Sequence, residues 1–317
     1  MKSRIRNATQ SLFRLGSVQR AAYAVAVARR RALVIVYHRV LPDEEALRID
    51  RDAIVPCVST AALREQLAFL QRAGRIVPLS ELVTQPLVED DRLRFCITFD
   101  DDEPSHVLHA LPILEASGVP ATFFLSGRSL HGLGPPWWRL LEAEVERAGL
   151  YNAASALGVT ARTPAELAAR IEDTQAVALV ERAFTPPERD SQLSDRGIVR
   201  LARAPQMTIG FHTLKHPVLT RLDEDGVIAA LSAGRDSLEA LTGTALRFLA
   251  YPHGKTDRRV AALSSRAGYD IACQGLGRPL DISSDVMRLP RWEPGNISLS
   301  EFAARMAFRL SLPAQPA

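Results

Sequence analysis

Short apolar segments that alternate with longer amphipathic ones constrain the fold of this 317-residue chain more than any other feature. Most of the short segments are apolar along their whole length, which is typical of strands covered on both faces, as in a parallel sheet. Seven segments are predicted to be strands: 32–37, 75–78, 94–99, 121–125, 207–211, 248–251 and 269–273. The alternation predicts an α/β fold with a parallel sheet, and a barrel is its natural closed form.

Helical patterns fill the spaces between the predicted strands. In 60–73, the residues Leu63, Leu67 and Leu70 recur at helical spacing. Further helices are predicted at 105–117, 223–241 and 257–267. Three glycines stand where glycine commonly ends a helix: Gly74, Gly118 and Gly268.

One stretch interrupts this alternation. Residues from about 128 to 205 begin with Gly-Pro-Pro-Trp-Trp at 134–138 and continue as helical patterns without a convincing strand. We interpret the stretch as a helical insertion over one face of the barrel. The predicted organisation is a basic N-terminal segment at 1–31, followed by a single barrel domain at 32–310 that contains the insertion.

Charge is distributed unevenly along the chain. Residues 1–40 hold nine basic side chains and no acidic one, so the remainder holds 30 basic side chains against all 36 acidic ones. The basic block could form an amphipathic helix on an anionic membrane surface, although a solvated or frayed terminal helix is the simpler interpretation. Nucleic acid is not an expected partner, because the rest of the chain is acidic.

Targeting signals are not evident in the sequence. The apolar run at 21–28 is short and is followed by three arginines, which is the wrong flank for signal-peptide cleavage. No run approaches the roughly 18–20 apolar residues of a membrane span. The three cysteines are odd in number and far apart, so we expect reduced thiols. We therefore expect a cytoplasmic protein, with membrane association through the basic segment as an option.

Three aspartates follow the predicted strand at 94–99. Asp100, Asp101 and Asp102 stand at the carboxyl end of a parallel strand, where α/β folds place their active sites. A polar loop is the simpler alternative. Three adjacent carboxylates repel one another, however, and a bound cation would relieve that repulsion.

Two histidines follow the predicted strand at 207–211. Their spacing of four puts His212 and His216 on one face of a helical turn, a common way to present two imidazoles to one metal ion. Two solvent-facing histidines are the alternative. With one aspartate they make a three-ligand site that leaves a position for water, as hydrolytic zinc requires. A second aspartate is then available as a general base. Non-haem iron oxygenases use the same ligand types, but their two histidines are usually far apart in sequence.

The motifs resemble those of the polysaccharide deacetylase family, also called the NodB homology domain or carbohydrate esterase family 4. That family carries TFDD, H-[ST]-x-x-H and a later R-x-F-R-x-P-Y-G. This chain has TFDD at 98–101, HTLKH at 212–216 and RFLAYPHG at 247–254. The resemblance covers roughly 32–127 and 206–293. It implies a distorted (β/α)7 barrel with the helical insertion, and a hydrolase that removes N-acetyl groups from amino sugars.

The resemblance also implies roles for individual residues. Asp100 matches the general base, while Asp101, His212 and His216 match the ligands of one divalent metal ion. We expect zinc, with cobalt or nickel as alternatives. A backbone N–H near His253 is implied to hold the oxyanion.

The chain departs from the family pattern around its third motif. Ala250 stands where the family often has an arginine that orients the base, His253 replaces a tyrosine, and no histidine follows it. His38 instead follows the first predicted strand, which resembles the circularly permuted branch that deacetylates poly-β-1,6-N-acetylglucosamine. We therefore predict His38 as the general acid, with His253 as the reserve candidate.

Further candidates rest on weaker grounds. Arg291 is a candidate for the missing arginine's role beside Asp100. Trp292 and the pair at 137–138 could stack on sugar rings, with packing an equal alternative. Tyr251 is a candidate for oxyanion or substrate contact.

The sequence thus predicts a metal-dependent deacetylase that hydrolyses the N-acetyl amide of an amino sugar in a polysaccharide or glycan precursor. The expected partner is this N-acetylated glycan. Two alternatives stay open: a metal-binding glycan-recognition pseudo-enzyme, and an amidase acting on a lipid-linked sugar.

Overall fold

The computed structural model describes residues 17–28, 31–49, 53–84, 92–173, 177–186, 192–275, 277–281 and 283–314. Their strands are β1 (Ala32–Tyr37), β2 (Arg39–Leu41), β3 (Cys57–Ser59), β4 (Gly74–Ile76), β5 (Leu93–Asp100), β6 (Ala121–Leu125), β7 (Met207–Phe211), β8 (Phe248–Ala250), β9 (Ile271–Gln274) and β10 (Leu289–Trp292). Their α-helices are α1 (Ser17–Ala28), α2 (Asp43–Ala46), α3 (Thr60–Ala73), α4 (Glu81–Thr84), α5 (Leu111–Ser117), α6 (Trp137–Ala148), α7 (Leu150–Ala156), α8 (Pro164–Asp173), α9 (Val177–Ala183), α10 (Asp195–Arg203), α11 (Glu224–Ser232), α12 (Arg235–Thr242), α13 (Arg258–Arg266) and α14 (Leu299–Ser311).

Seven parallel strands close a barrel in the order β1, β10, β9, β8, β7, β6 and β5. The ring closes where β1 pairs with β5, from Ala32 opposite Arg94 to Tyr37 opposite Phe99. Helices surround this ring, which confirms the predicted α/β barrel.

The predicted strand at 75–78 is not part of the ring. It corresponds to β4, which pairs with the first residues of β5, while β6 pairs with the last residues of β5. The ring is completed instead by β10, which the sequence did not reveal. That strand has four residues and contains Pro290 and Arg291, so it lacks the apolar run by which the others were found.

The side chains on the two faces of β5 lie in different regions, one in the core outside the barrel and the other inside the barrel, where the site lies. Phe95, Ile97 and Phe99 pack in the main cluster between the barrel and its helices. Cys96 lies in a second cluster, with Val34 and other residues of the barrel strands. Because side chains alternate along a strand, Asp100 lies on the same face as Cys96 and ends this strand.

The helical segment, defined as the helices from α6 to α10, lies between β6 and β7. Among its described residues it contains helices and no strand. Trp137, Trp138 and Leu141 belong to an apolar cluster that is separate from the main core and includes residues of α7, α8 and α9. Helices α6 to α9 therefore pack, together with Val55, around an apolar core distinct from the main one, whereas α10 packs on the main cluster through Ile198 and Leu201.

One predicted helix is divided in the structure, and one glycine at a predicted helix end has a further role. The helix predicted at 223–241 is divided into α11 and α12 by Gly234, whose φ of 80° is left-handed. Gly74 directly follows the last residue of α3, as predicted, and its φ of −166° is extended. A Cβ at this position would lie 2.3 Å from the carbonyl oxygen of Leu93, so close packing of β4 on β5 requires this glycine.

Most of the predicted basic segment at 1–31 lies outside the described residues. Its described part includes α1, whose Tyr23 hydroxyl donates a hydrogen bond to the carbonyl of Ala73. None of the described helices combines the length and apolar character needed to cross a bilayer.

Candidate active site

A cavity of about 490 Å³ lies at the carboxyl ends of the barrel strands. It brings together most of the polar residues singled out in the sequence. On the barrel side its lining includes His38, Asp100, Asp101, His212, His216, His253, Arg291 and Glu293. On the helical side its lining includes Trp137, Trp138, Ala165, Ala168, Ala169 and Glu172.

Asp101, His212 and His216 form a group that could hold a metal ion. The Nε2 atoms of the two histidines are 3.1 Å apart, and Asp101 Oδ1 lies 3.6 Å from the first and 3.8 Å from the second. Ligand atoms around a tetrahedral zinc, with bonds of about 2.0–2.1 Å, are separated by about 3.3–3.5 Å. Two imidazole nitrogens and one carboxylate also match the ligands that zinc prefers. The residues present therefore fit the ion.

The two histidines do not lie on a helical turn, contrary to the prediction. They lie in a loop after β7, where Thr213 and His216 have left-handed φ values of 61° and 52°. Asp101 is also left-handed, with φ at 72°. Such conformations cost about 1–3 kcal/mol each in non-glycine residues and cluster at functional sites. Here they occur in the two loops that bring the side chains of Asp101, His212 and His216 together.

Hydrogen bonding fixes the orientation of His212. Its Nδ1 lies 2.8 Å from the carbonyl oxygen of Ala250. An N–H at Nδ1 donates to that oxygen and leaves Nε2 unprotonated, with its lone pair directed toward His216 and Asp101. Ala250, at a position where the family often has arginine, thus contributes its backbone carbonyl to the orientation of His212.

Asp100 is paired with Arg291 deep in the barrel. Arg291 donates two hydrogen bonds of 2.6 Å, one to each carboxylate oxygen, and both residues are buried. Burial alone would raise the pKa of Asp100, but Arg291 and His212 lower it to about 2. The carboxylate is therefore ionised and held in one orientation.

The other two aspartates of the motif have different surroundings. Burial and the neighbouring carboxylates, including Asp100, raise the pKa of Asp101 to about 7. Asp102 points elsewhere and accepts hydrogen bonds from the backbone N–H and hydroxyl of Ser126 and from the N–H of Arg128. Asp102 therefore stabilises the loop after β6 and does not line the cavity.

His38, which also lines the cavity, forms an ion pair with Glu293. Its Nδ1 lies 2.7 Å from Glu293 Oε1, and its carbonyl oxygen lies 2.9 Å from Nε2 of the buried His106. Burial alone would lower the pKa of His38, but Glu293 and the carboxylates of Asp101 and Asp100 raise it to about 10. No described residue hydrogen-bonds the other ring nitrogen of His38. Sequence reasoning missed Glu293, whose one local signal is its position directly after β10.

His253 is held between two elements. Its Nδ1 lies 3.0 Å from Glu172 Oε2, and its Nε2 lies 3.3 Å from the carbonyl oxygen of His216. Its backbone is left-handed, with φ at 57°. Among the described residues, none accepts a hydrogen bond from its backbone N–H. Glu172 was also missed, because nothing near it in the sequence resembles a motif.

Tyr251 and Trp292 lie away from the cavity, which corrects their suggested contact with the substrate. Tyr251 is fully buried and its hydroxyl donates to the carbonyl of Met287. Trp292 is buried against Phe302, with ring centroids 5.1 Å apart. Each follows a residue whose side chain lies inside the barrel, so alternation along the strand turns it to the outside. Trp138 does line the cavity, 4.7 Å from His216 between ring centroids.

A seven-stranded parallel barrel with a polar cavity at the carboxyl ends of its strands is the setting for the comparisons with known proteins. The chain belongs to the polysaccharide deacetylase family, because the family's sequence profile matches residues 89–272. Members of this family are hydrolases that act on carbon–nitrogen bonds other than peptide bonds. A search of curated proteins found no match.

Solved structures of deacetylases share the fold. The Streptococcus pyogenes deacetylase PplD in complex with acetate has a TM-score of 0.58 and 14% identity, covering 87% of this chain and 98% of that one. IcaB from Ammonifex degensii has a TM-score of 0.54 and 18% identity, with 89% and 97% covered. A polysaccharide deacetylase from Bacillus cereus has a TM-score of 0.58 and 14% identity, with 87% and 69% covered.

Proposed function

We propose that this protein is a metal-dependent deacetylase that hydrolyses the N-acetyl amide of an amino sugar in a polysaccharide or glycan precursor. The observation that carries the proposal is the Asp101–His212–His216 group lying beside a second, ionised aspartate in one cavity. Three ligands that leave a position for water, with a base next to them, suit hydrolysis.

Asp101, His212 and His216 would hold the ion, with zinc the expected metal and cobalt or nickel the alternatives. When bound, such an ion supplies a Lewis acid that polarises the acetyl carbonyl and lowers the pKa of a water molecule. Every other step depends on side chains and backbone groups of the chain.

Asp100 is the proposed general base, which takes the proton of the attacking water. Arg291 holds both of its oxygens by hydrogen bonds and so fixes the direction from which the proton is accepted. In this way Arg291 takes the role of the arginine that Ala250 replaces. A carboxylate with a pKa of about 2 is a weak base, so Asp100 by itself would accept the proton of an ordinary water molecule only slowly.

His38 is the proposed general acid, which gives its proton to the departing amine. With a pKa of about 10, the imidazole is protonated at neutral pH, and Glu293 holds Nδ1 so that Nε2 is left for the substrate. His253 suits this role less well, because oxygen atoms lie within hydrogen-bond distance of both its ring nitrogens. The location of His38 after β1 supports a relationship with the circularly permuted branch.

The backbone N–H of His253 is the proposed oxyanion donor. No described residue accepts a hydrogen bond from this N–H, so the group is available to another partner. His253 lines the cavity, so a substrate oxygen can supply the partner.

The cavity supports a sugar substrate. Its volume of about 490 Å³ lies within the range of about 300–1,000 Å³ that is usual for small-molecule pockets. Trp137 and Trp138 offer apolar surface on which the carbon face of a sugar ring can pack. A lipid-linked sugar presented at a membrane surface, contacted through the basic segment at 1–31, is the second candidate substrate.

Acetate release tests the proposal. The purified, zinc-loaded protein is incubated with N-acetylated glucosamine oligosaccharides and, separately, with a lipid-linked N-acetylated sugar. Release from either substrate, abolished by a chelator and restored by zinc, is the expected result. Metal bound without acetate from any N-acetylated glycan would favour the glycan-recognition pseudo-enzyme instead.

A further inference from the structure

We propose that Glu172 is a positioning residue of this active site, through which the helical segment holds the His253 peptide in its working orientation. The inference rests on the deacetylase function proposed above. It assigns the helical segment a part in the reaction itself, in addition to shaping the cavity.

One carboxylate of α8 binds two residues of the loop that follows β8. Glu172 Oε2 lies 3.0 Å from His253 Nδ1, and Oε1 contacts Lys255 Nζ. The backbone carbonyl of Glu172 accepts a hydrogen bond of 2.6 Å from Arg221, so the helix end is itself anchored. Glu172 therefore joins a fixed helix to the loop on both sides of Gly254.

The contacts continue from His253 to the metal-ligand loop. The ring centroids of His253 and His216 are 4.4 Å apart, and His253 Nε2 lies 3.3 Å from the His216 carbonyl oxygen. Among the described residues, Glu172 and His216 are the hydrogen-bonding partners of this imidazole. Without Glu172, the ring would be held from one side alone.

The backbone of His253 needs such support. Its φ of 57° is a conformation that non-glycine residues keep only when their surroundings impose it. The following peptide is fixed by the barrel, because Gly254 N–H donates to Tyr251 and its carbonyl accepts from Gly275. The peptide before His253 is held differently. The N–H of His253 has no such partner among the described residues, so the contacts of the His253 side chain have to keep this peptide in place. An oxyanion donor works only when it is aimed at the developing charge.

Kinetics of variants on α8 test the proposal. In Glu172→Ala, kcat is expected to fall about tenfold to a hundredfold, because a small displacement of a catalytic group has effects of this size. KM and bound metal per chain should stay within about twofold of the wild type, since no metal ligand is lost. In Glu172→Gln, the amide oxygen still accepts from His253, so kcat should return to within about threefold.

Glu166→Ala is the matched control. Glu166 lies on the same helix and pairs with Arg170, but it does not line the cavity. This variant should keep wild-type kcat. An equal loss of kcat in Glu166→Ala and Glu172→Ala would show a general effect of the helix and overturn the proposal.

A spectroscopic readout does not depend on activity. In protein labelled with ¹⁵N-histidine, a downfield Nδ1–H resonance of His253, assigned by its absence in His253→Gln, should be present in the wild type and Glu172→Gln and lost in Glu172→Ala. Persistence of this resonance in Glu172→Ala would overturn the proposal. Acetate release with unchanged kcat in Glu172→Ala would overturn the role of Glu172 alone, whereas no release by the wild type would overturn the proposed function.

Discussion

The barrel side and the helical side of the cavity are built differently. The barrel side consists of short loops at strand ends, in which Asp101, His216 and His253 adopt left-handed backbone conformations. The helical side consists of regular helices with their own apolar core, which present Trp138 and small residues such as Ala168. The strained loops at the strand ends fix the positions of the polar side chains, and the regular helices determine the shape of the cavity. Substitutions on the barrel side should therefore act on turnover, as should those of Glu172, which contacts the barrel loop, whereas substitutions of the apolar residues on the helical side should act mainly on binding.

The largest effect is expected from Asp100→Asn on the barrel side. The amide cannot accept the proton of water, so turnover should fall by about a thousandfold or more. Bound metal should be retained, because Asp101, His212 and His216 remain. Acetate release and metal content are measured on the same preparation. Turnover at the wild-type rate would show that another group is the base.

The second-largest effect is expected when the pH is lowered, which should weaken the binding of zinc. Asp101 has a pKa raised to about 7 and must lose its proton to bind the ion, so protons compete below pH 7 and not above it. Burial lowers the pKa of His212 and His216, so protons compete with the ion for these two ligands less than they would for exposed histidines. The Kd for zinc should rise about tenfold per pH unit between pH 7 and pH 5. Competition with a coloured chelator measures it, and a constant Kd over this range would contradict the assignment of Asp101.

A smaller effect is expected on the helical side. Trp137→Leu keeps an apolar side chain but removes the aromatic face, so KM should rise about fivefold to tenfold while kcat changes little. Tyr151→Leu is the control, because Tyr151 is an exposed aromatic residue of the same segment that does not line the cavity. A fall in kcat without a change in KM would remove the distinction between the two sides.

The smallest effect at neutral pH is expected from Glu293→Gln. His38 donates its proton below its pKa of about 10, so the kcat/KM of the wild type should fall only above that pH. Loss of the Glu293 charge lowers the pKa of His38 and moves this alkaline limb to lower pH. If the pKa returned to the ordinary value of about 6.5, the loss at pH 7 would be about fourfold. An alkaline limb that stays in place would argue against His38 as the acid.

Sequence reasoning found the parts of the site that have local signals. Asp100 and His212 directly follow apolar strands, and polar residues at strand ends are visible without tertiary information. The pairing of Arg291 with Asp100, which the sequence suggests only through the arginine missing at Ala250, joins residues 191 positions apart, and the contact of Glu172 with His253 joins two distant elements. No spacing in the sequence encodes such contacts.

The wrong details have physical causes as well. Trp292 was suggested as a substrate contact because β10 was not recognised, and without the strand there was no alternation to turn its side chain away from the cavity. The spacing of His212 and His216 fits a helical turn, but left-handed residues in a loop achieve the same juxtaposition. A periodic sequence pattern reveals helices and strands, but it does not reveal the conformation of an irregular loop such as this one.

The central claim is that Asp101, His212 and His216 bind a catalytic metal ion. The most direct test is the metal content of the purified protein, measured by plasma mass spectrometry beside His212→Ala and the exposed-site control His131→Ala. We expect about one divalent ion per chain in the wild type and in His131→Ala, and little in His212→Ala. A wild-type protein that binds no metal after zinc is supplied, or that binds no more than His212→Ala, would contradict it.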